Sequence, residues 1–278
     1  MVSLSTLLHG MAGCLFCAVA ALAGLPPAAA QSPSAATLDL SGYHVTFSDD
    51  FSTLSLAAQG PGARWTTHTP WHGDFGDATF SDPSPDVFKS TPDGLEIIAS
   101  KGADGHWRSG LISSAWADNN PKAGFTQEYG YFEMTAQLPD GMGTWPAFWL
   151  IGSDKRSFAA EIDVIEYYGG FPRYFHTTEH VWVNGKNQLL RATMPEVPKG
   201  QLSSGFNRFG VLITPQTTSF YLNRHEFWST PTPPEYRQPM YMLADLALGG
   251  GWPISGLKSP IVMRIKDIKV WQRDKPWN

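Results

Sequence analysis

An all-β domain of two stacked antiparallel sheets is predicted by three features of the chain. Short β-rich runs recur between Gly, Pro, Asp and Asn residues, several of them alternate with period 2, and no long stretch carries helical periodicity. With 42% hydrophobic residues in 278, there is enough apolar mass for a sizeable core. Many short strands in one domain fit a sandwich in which each sheet buries one face.

The plainest strand is 129–138. Phe132, Met134, Ala136 and Leu138 fall on one face, expected to be core, and Tyr129, Tyr131, Glu133, Thr135 and Gln137 fall on the other. Further strands are expected at 95–100, 148–151, 162–167, 175–183, 209–214, 219–222, 241–247 and 261–271. In the last, Ile261, Met263 and Ile265 keep one phase while Ile268 and Val270 take the other, which predicts a bulge near Lys266 and Asp267.

Residues 1–30 contain no Asp, Glu, Lys or Arg, and an apolar run over 14–25 is followed by Ala28, Ala29 and Ala30. This pattern predicts a cleaved secretory signal and an extracellular or periplasmic product. The run is shorter than the ~20 residues a membrane-spanning helix needs, so no membrane partner is expected after cleavage. Residues 31–40 are rich in Ser, Ala and Pro and read as a flexible lead, leaving 41–278 as a single sandwich domain, expected to be a monomer. Cys14 and Cys17 both lie in the signal, so the mature chain has no thiol, disulfide or Cys-ligated metal site. The 20 Lys and Arg against 25 Asp and Glu give a net charge of −5, which argues against a nucleic-acid partner. Eleven Trp exceed what such a core needs and direct attention to the surface.

Three acids stand within six residues at Glu161-Ile162-Asp163-Val164-Ile165-Glu166. Plain alternation puts Glu161 and Asp163 on one face and Glu166 on the other. A bulge at Val164 and Ile165 restores the phase, turning both into the core and returning Glu166 to the acidic face. Like charges on one strand face repel, so stability gives little reason for the arrangement. Retaining hydrolysis of a glycosidic bond does, because it needs one carboxylate to attack the sugar and a second, ~5 to 5.5 Å away, to protonate the leaving oxygen. A third acid between them holds geometry and raises a neighbour's proton affinity. The other readings of the triplet are an exposed acidic face and a calcium site.

At these residues the sequence resembles glycoside hydrolase family 16, whose retaining members carry Glu-x-Asp-x-x-Glu. The resemblance extends to Tyr129-Gly130-Tyr131-Phe132-Glu133, to Gly141-Met142-Gly143-Thr144-Trp145-Pro146-Ala147-Phe148-Trp149 and to Leu246-Ala247-Leu248-Gly249-Gly250-Gly251-Trp252-Pro253. It implies a curved jelly-roll sandwich, similar to concanavalin A, with a substrate cleft on its concave face. It also implies Glu161 as nucleophile, Glu166 as general acid and base and Asp163 as the assisting acid of a secreted endo-β-glycanase. The bonds cut are expected to be β-1,3 or β-1,4 links of a glucan or bacterial exopolysaccharide, with no required cofactor.

Trp145, Trp149 and Trp252 are expected at the cleft, because a flat indole suits the apolar face of a sugar ring. His180 and His176 share a strand face with Thr178 and Trp182 and are also substrate-contact candidates, as is Glu133. Trp71 and Trp107 sit in Gly-rich loops suited to outer sugar sites. Metal binding by the two histidines is not expected, since that spacing suits a helix. Asp267 lies near the position where family members bind a structural calcium, its other reading being a surface acid.

Three positions depart from the family pattern. Leu111 stands where many members have Arg, Asp245 where laminarin-cleaving members have Asn, and Glu179 in an apolar slot, so substrate choice is expected to differ. Trp71-His72-Gly73-Asp74-Phe75-Gly76-Asp77 and Glu179-His180-Val181-Trp182 resemble the branch that trims exopolysaccharides such as succinoglycan. A transglycosylase, an agar- or carrageenan-type hydrolase and a noncatalytic sugar-binding sandwich are the alternatives.

Overall fold

The computed structural model describes residues 37–277; the expected signal and residues 31–36 lie outside them. Two sheets face each other. The inner sheet runs in the order Lys186–Thr193, His176–Val183, Ala159–Glu166, Thr144–Gly152, Met240–Leu248, Leu111–Ser113, Trp65–Thr66, Leu56–Ala57. The outer sheet centres on Gly130–Gln137, flanked by Asn207–Ile213 and Ile261–Arg273. Among the described residues, helix is confined to the short turns Gln201–Ser204 and Pro234–Tyr236, and none is long and apolar enough to cross a membrane.

Alternation makes the core. Phe132, Met134 and Ala136 of the outer sheet meet Phe148, Leu150, Ile162, Val164 and Ile165 of the inner one, all essentially sealed from solvent. Each such large side chain contributes about 1.5–3 kcal/mol by leaving water. The predicted bulge in the last strand is present: the register against Gly130–Gln137 slips between Ile265 and Asp267, leaving Lys266 as the extra residue.

The face of Gly130–Gln137 away from the core is closed as well. Tyr131, Tyr221 and Trp271 form a small outer cluster, and Leu38 and Leu40 pack on it. Thr37 bridges to His225, and Leu38 N–H donates to Arg224 O at 2.8 Å, so residues 37–40 are part of the sandwich, not of a flexible lead.

A second apolar layer covers the inner sheet on its cleft side. Ala147, Trp149, Ile151, Tyr241, Leu243, Ala247 and Leu111 point away from the main core and are roofed by Phe80, Phe75 and Trp71. The loop carrying Trp71 and Phe75 thus closes one flank of the face, and the acid strand lies beside it.

Candidate active site

The acid strand departs from plain alternation at one residue. Its register against Thr144–Gly152 pairs Trp149 with Asp163 and Phe148 with Ile165, so Val164 is the inserted residue of a bulge. Val164 and Ile165 both enter the core, and Glu161, Asp163 and Glu166 emerge together on the cleft face. Three cross-sheet rows result: His180, Glu161, Ile151 and Tyr241; Thr178, Asp163, Trp149 and Leu243; His176, Glu166, Ala147, Asp245 and Leu111.

Each outer acid receives an indole N–H. Trp182 Nε1 donates to Glu161 Oε2 at 3.0 Å, and Trp145 Nε1 donates to Glu166 Oε1 at 3.1 Å. Tyr168 lies parallel to Trp145, ring centroids 5.9 Å apart, and its hydroxyl adds a 3.4 Å contact to the same Glu166 oxygen. Between the ends, His180 Nε2 lies 3.3 Å from Asp163 Oδ2, while Asn187 Nδ2 donates to His180 Nδ1 at 2.6 Å. In the neutral ring, that donor leaves the proton on Nε2, facing Asp163. His180 also stacks on Trp182 at 5.0 Å.

Crowded acids in a covered cleft hold their protons. Burial, then the charge of Asp163, pushes Glu161 up to about 8, against the pull of His180 and of the Trp182 hydrogen bond. Asp163 is raised well above its ordinary value by burial, then by Glu166 and Asp245. Burial also raises Glu166, while the bonds from Trp145 and Tyr168 and the charge of His180 oppose it.

Of the expected contacts, Trp145 and His180 touch the acids directly. His176 stands opposite Glu166 with its ring edge-on to Tyr168 at 5.3 Å, and burial lowers its pKa. Trp252 is 40% exposed and packs edge-on to Phe171 at 4.7 Å, on the rim at the Glu166 end. That rim depends on Gly250, whose φ is +60°: a Cβ there would come within 2.7 Å of Tyr168 and 2.9 Å of Trp145. Trp71 sits across the face, edge-on to Trp149 at 5.9 Å.

Three expected contacts are corrected. Trp149 is on the cleft side but buried beneath Trp71 and Phe75, and its Nε1 donates to Asp245 Oδ1 at 2.8 Å; it is floor, not contact surface. Trp107 turns into the main core. Glu133 belongs to the outer sheet, where Arg224 binds both its carboxylate oxygens at 2.9 Å and Tyr131 donates to it.

The unusual positions also find their place. Leu111 is buried in the apolar layer opposite Asp245. Asp245, wholly buried, is pushed up to about 7 by that burial, although Trp149 and the Ala247 N–H both donate to it. Glu179 turns away from the cleft into the sandwich, where Thr230 donates to Oε2 at 2.7 Å and Arg191 Nε lies 3.2 Å off. Asp267 does not fit a calcium site: Thr135 donates to one oxygen at 3.0 Å and the Lys269 ammonium stands 3.3 Å from the other.

Trp182 and Asn187 escaped the sequence reading as site residues, although Trp182 shares the face of His176 and His180. Its phase was the available signal. Asn187 comes from the next strand, whose alternation is polar enough to hide it.

The sequence profile of Glycosyl hydrolases family 16 matches residues 91–256. Two curated relatives, both named endo-1,3-1,4-beta-glycanase, are EglC and ExsH of Rhizobium meliloti (strain 1021). Each is 32% identical over 87% of this chain and 54% of its own length, so the chain spans about half the length of these relatives. Among solved structures, the chain is similar to SCLam, a non-specific endo-beta-1,3(4)-glucanase, with a TM-score of 0.69 at 21% identity over 87% of this chain and 94% of that one. A laminarinase catalytic domain from Thermotoga petrophila RKU-1 gives 0.68 at 19% identity over 84% and 99%. These likenesses carry the jelly-roll fold. With the bulged acid strand in place and more than half the chain matched by the family profile, the protein belongs to glycosyl hydrolase family 16.

Proposed function

We propose that this chain is a secreted, retaining endo-β-glycanase that cuts internal β-1,3 or β-1,4 bonds of a glucan or related exopolysaccharide. The observation that carries the reading is the bulge at Val164, which gathers Glu161, Asp163 and Glu166 on the cleft face and leaves an indole N–H on each outer acid. The names of the Rhizobium relatives support the bond type. Export is supported by the uncharged residues 1–30 and by the confinement of Cys14 and Cys17 to them. We take 1–30 as signal, the rest as one catalytic domain acting as a monomer, and a polysaccharide as its partner.

The chemistry is a double displacement. The ionised Glu161 attacks the anomeric carbon as Glu166 passes its proton to the leaving oxygen, giving a glycosyl ester on Glu161. Glu166, now ionised, takes a proton from water, whose oxygen displaces Glu161 and leaves the anomeric configuration as it began. Asp163, held by His180, keeps Glu161 and Glu166 from ionising together and so matches one base to one acid. Trp145 and Trp252 offer faces for sugar rings at the Glu166 end, and Trp71 does so across the cleft. The reaction uses side-chain acids alone, as family chemistry generally needs no cofactor.

Reducing-end release by residues 31–278 on laminarin, mixed-linkage β-glucan, succinoglycan and agarose tests the reading, with Glu161→Gln run alongside. Cleavage of one polymer, abolished by the substitution and with the anomer retained by NMR, supports it. Initial inversion removes the double displacement, longer products with acceptor sugars indicate transglycosylation, and cleavage of agarose alone indicates a galactanase.

A further inference from the structure

One cation beside the nucleophile has no part in the double displacement. Lys155 lies in the turn between the Thr144–Gly152 strand and the acid strand. Its backbone N–H donates to Asn119 Oδ1 and the Asn119 N–H donates to Ser153 O, both at 2.8 Å, which ties two loops together. Lys155 Nζ stands 3.1 Å from Asp118 Oδ2 and 3.9 Å from the centre of the Trp71 ring. Asp118 is fixed in turn by the Tyr241 hydroxyl, which donates to Oδ1 at 2.8 Å, and Tyr241 occupies the same cross-sheet row as Glu161.

The side chains of Lys155 and Asp118 are 16% and 17% exposed, covered but not sealed. An ammonium has three N–H groups. One goes to Asp118 and one lies on the indole face, so the third has no protein acceptor among the described residues. Asp118 Oδ2 keeps a lone pair beside it. Burial works against the charge of Lys155, and Asp118 and Glu161 favour it, which places its field on the nucleophile end of the cleft.

We propose that Lys155 and Asp118 form a hydroxyl-reading sugar subsite beside Glu161, the ammonium donating to a hydroxyl oxygen and Asp118 accepting a hydroxyl proton. This rests on the glycanase reading. The pair suits adjacent hydroxyls of a neutral pyranose, because donor and acceptor lie side by side. A carboxylated sugar is disfavoured there, since Asp118 already answers the ammonium and would repel a second carboxylate. The subsite thus selects neutral sugar units next to the cleaved bond.

Lys155→Met keeps the aliphatic stem on Trp71 and removes the donor. On mixed-linkage β-glucan, KM is expected to rise about tenfold with kcat within about twofold, while Tm falls because Asp118 is left covered without its cation. An unchanged KM overturns the subsite, as does a loss confined to kcat with a shifted acid limb, which would make Lys155 a regulator of Glu161. Binding of a mixed-linkage glucan hexasaccharide is followed separately by tryptophan fluorescence in Glu161→Gln with and without Lys155→Met, and a loss of about tenfold in affinity is expected. If the unsubstituted chain cuts no glucan yet the hexasaccharide still binds through Lys155, the glycanase reading fails and the subsite stands. If glucan is cut and neither KM nor affinity responds to Lys155→Met, the subsite fails alone. If the hexasaccharide neither binds nor is cut, both fail.

Discussion

Trp182 and Glu161 come from adjacent strands and are joined by a 3.0 Å hydrogen bond from indole Nε1 to carboxylate Oε2. The bond leaves the other oxygen of Glu161 to face the cleft and favours the ionised form against burial. Trp145 makes the corresponding bond to Glu166. The two outer carboxylates are therefore each oriented by an indole N–H.

Removing that donor with Trp182→Phe keeps a ring against His180 and deletes the hydrogen bond. A hydrogen bond to a charged group contributes about 1.5–3 kcal/mol, so kcat is expected to fall by roughly tenfold or more. The same loss raises the pKa of Glu161, so the acid limb of the kcat/KM profile should move to higher pH. A fall in kcat with an unmoved acid limb would mean that Trp182 serves the substrate and not Glu161.

The pH dependence of the native enzyme follows from the same crowding. Burial raises Glu161, Asp163 and Glu166 together, and the nucleophile must be ionised to attack. The acid limb of kcat/KM is thus expected well above the ~4.3 of an ordinary glutamate, with activity still rising at neutral pH. A profile that is flat down to pH 4 would show that substrate-free crowding does not control the reacting state.

The bulge makes a sharper demand. Deleting Val164 alone lets Ile165 follow Asp163 in plain alternation, so Glu166 keeps its place opposite Ala147 on the cleft face. Deleting Val164 and Ile165 together swings Glu166 to the core side of the strand, beyond reach of Trp145. The single deletion should keep measurable activity; the double deletion should abolish it and lower the melting temperature, because an acid is left buried without its partners. Equal activity in the two variants would remove strand phase from the argument.

Strand phase made most of the fold readable: the core positions of Gly130–Gln137, the bulge at Lys266 and the bulge at Val164 all follow from period 2 and its interruptions. Phase says which residues share a face, but not which face becomes the cleft. Glu133 lies off the core face as Glu161 does, yet its strand is in the outer sheet, where the partner is Arg224. Sheet order, fixed by long-range pairing, decides between them. Lys155 and Asn187 were hidden for a related reason, since loop lysines and amides in a polar strand carry no local sign of what the fold brings opposite them.

Gly250 tests whether the rim positions the chemistry. At φ +60° and 2.7–2.9 Å from Tyr168 and Trp145, a methyl group strains the backbone and displaces the rings that touch Glu166. Gly250→Ala should cost about 1 kcal/mol of stability and lower kcat more than it raises KM. If KM alone changes, the loop contacts sugar without setting the geometry of Glu166.

Asp245 gives a stability prediction with a definite sign. Its folded pKa is about 7 against an ordinary 3.8, so the folded state prefers the protonated acid. Its favourable contribution is complete below pH 3.8 and is lost as pH rises through 7. Asp245→Asn keeps an acceptor for the Trp149 indole N–H and loses the one for Ala247, a cost independent of pH. The variant should therefore gain on the wild type as pH rises, its relative melting temperature increasing by at least ~3 °C between pH 5 and pH 8. A difference constant across that range would mean that Asp245 is ionised in the folded protein throughout, and that the apolar layer beneath Trp71 tolerates its charge.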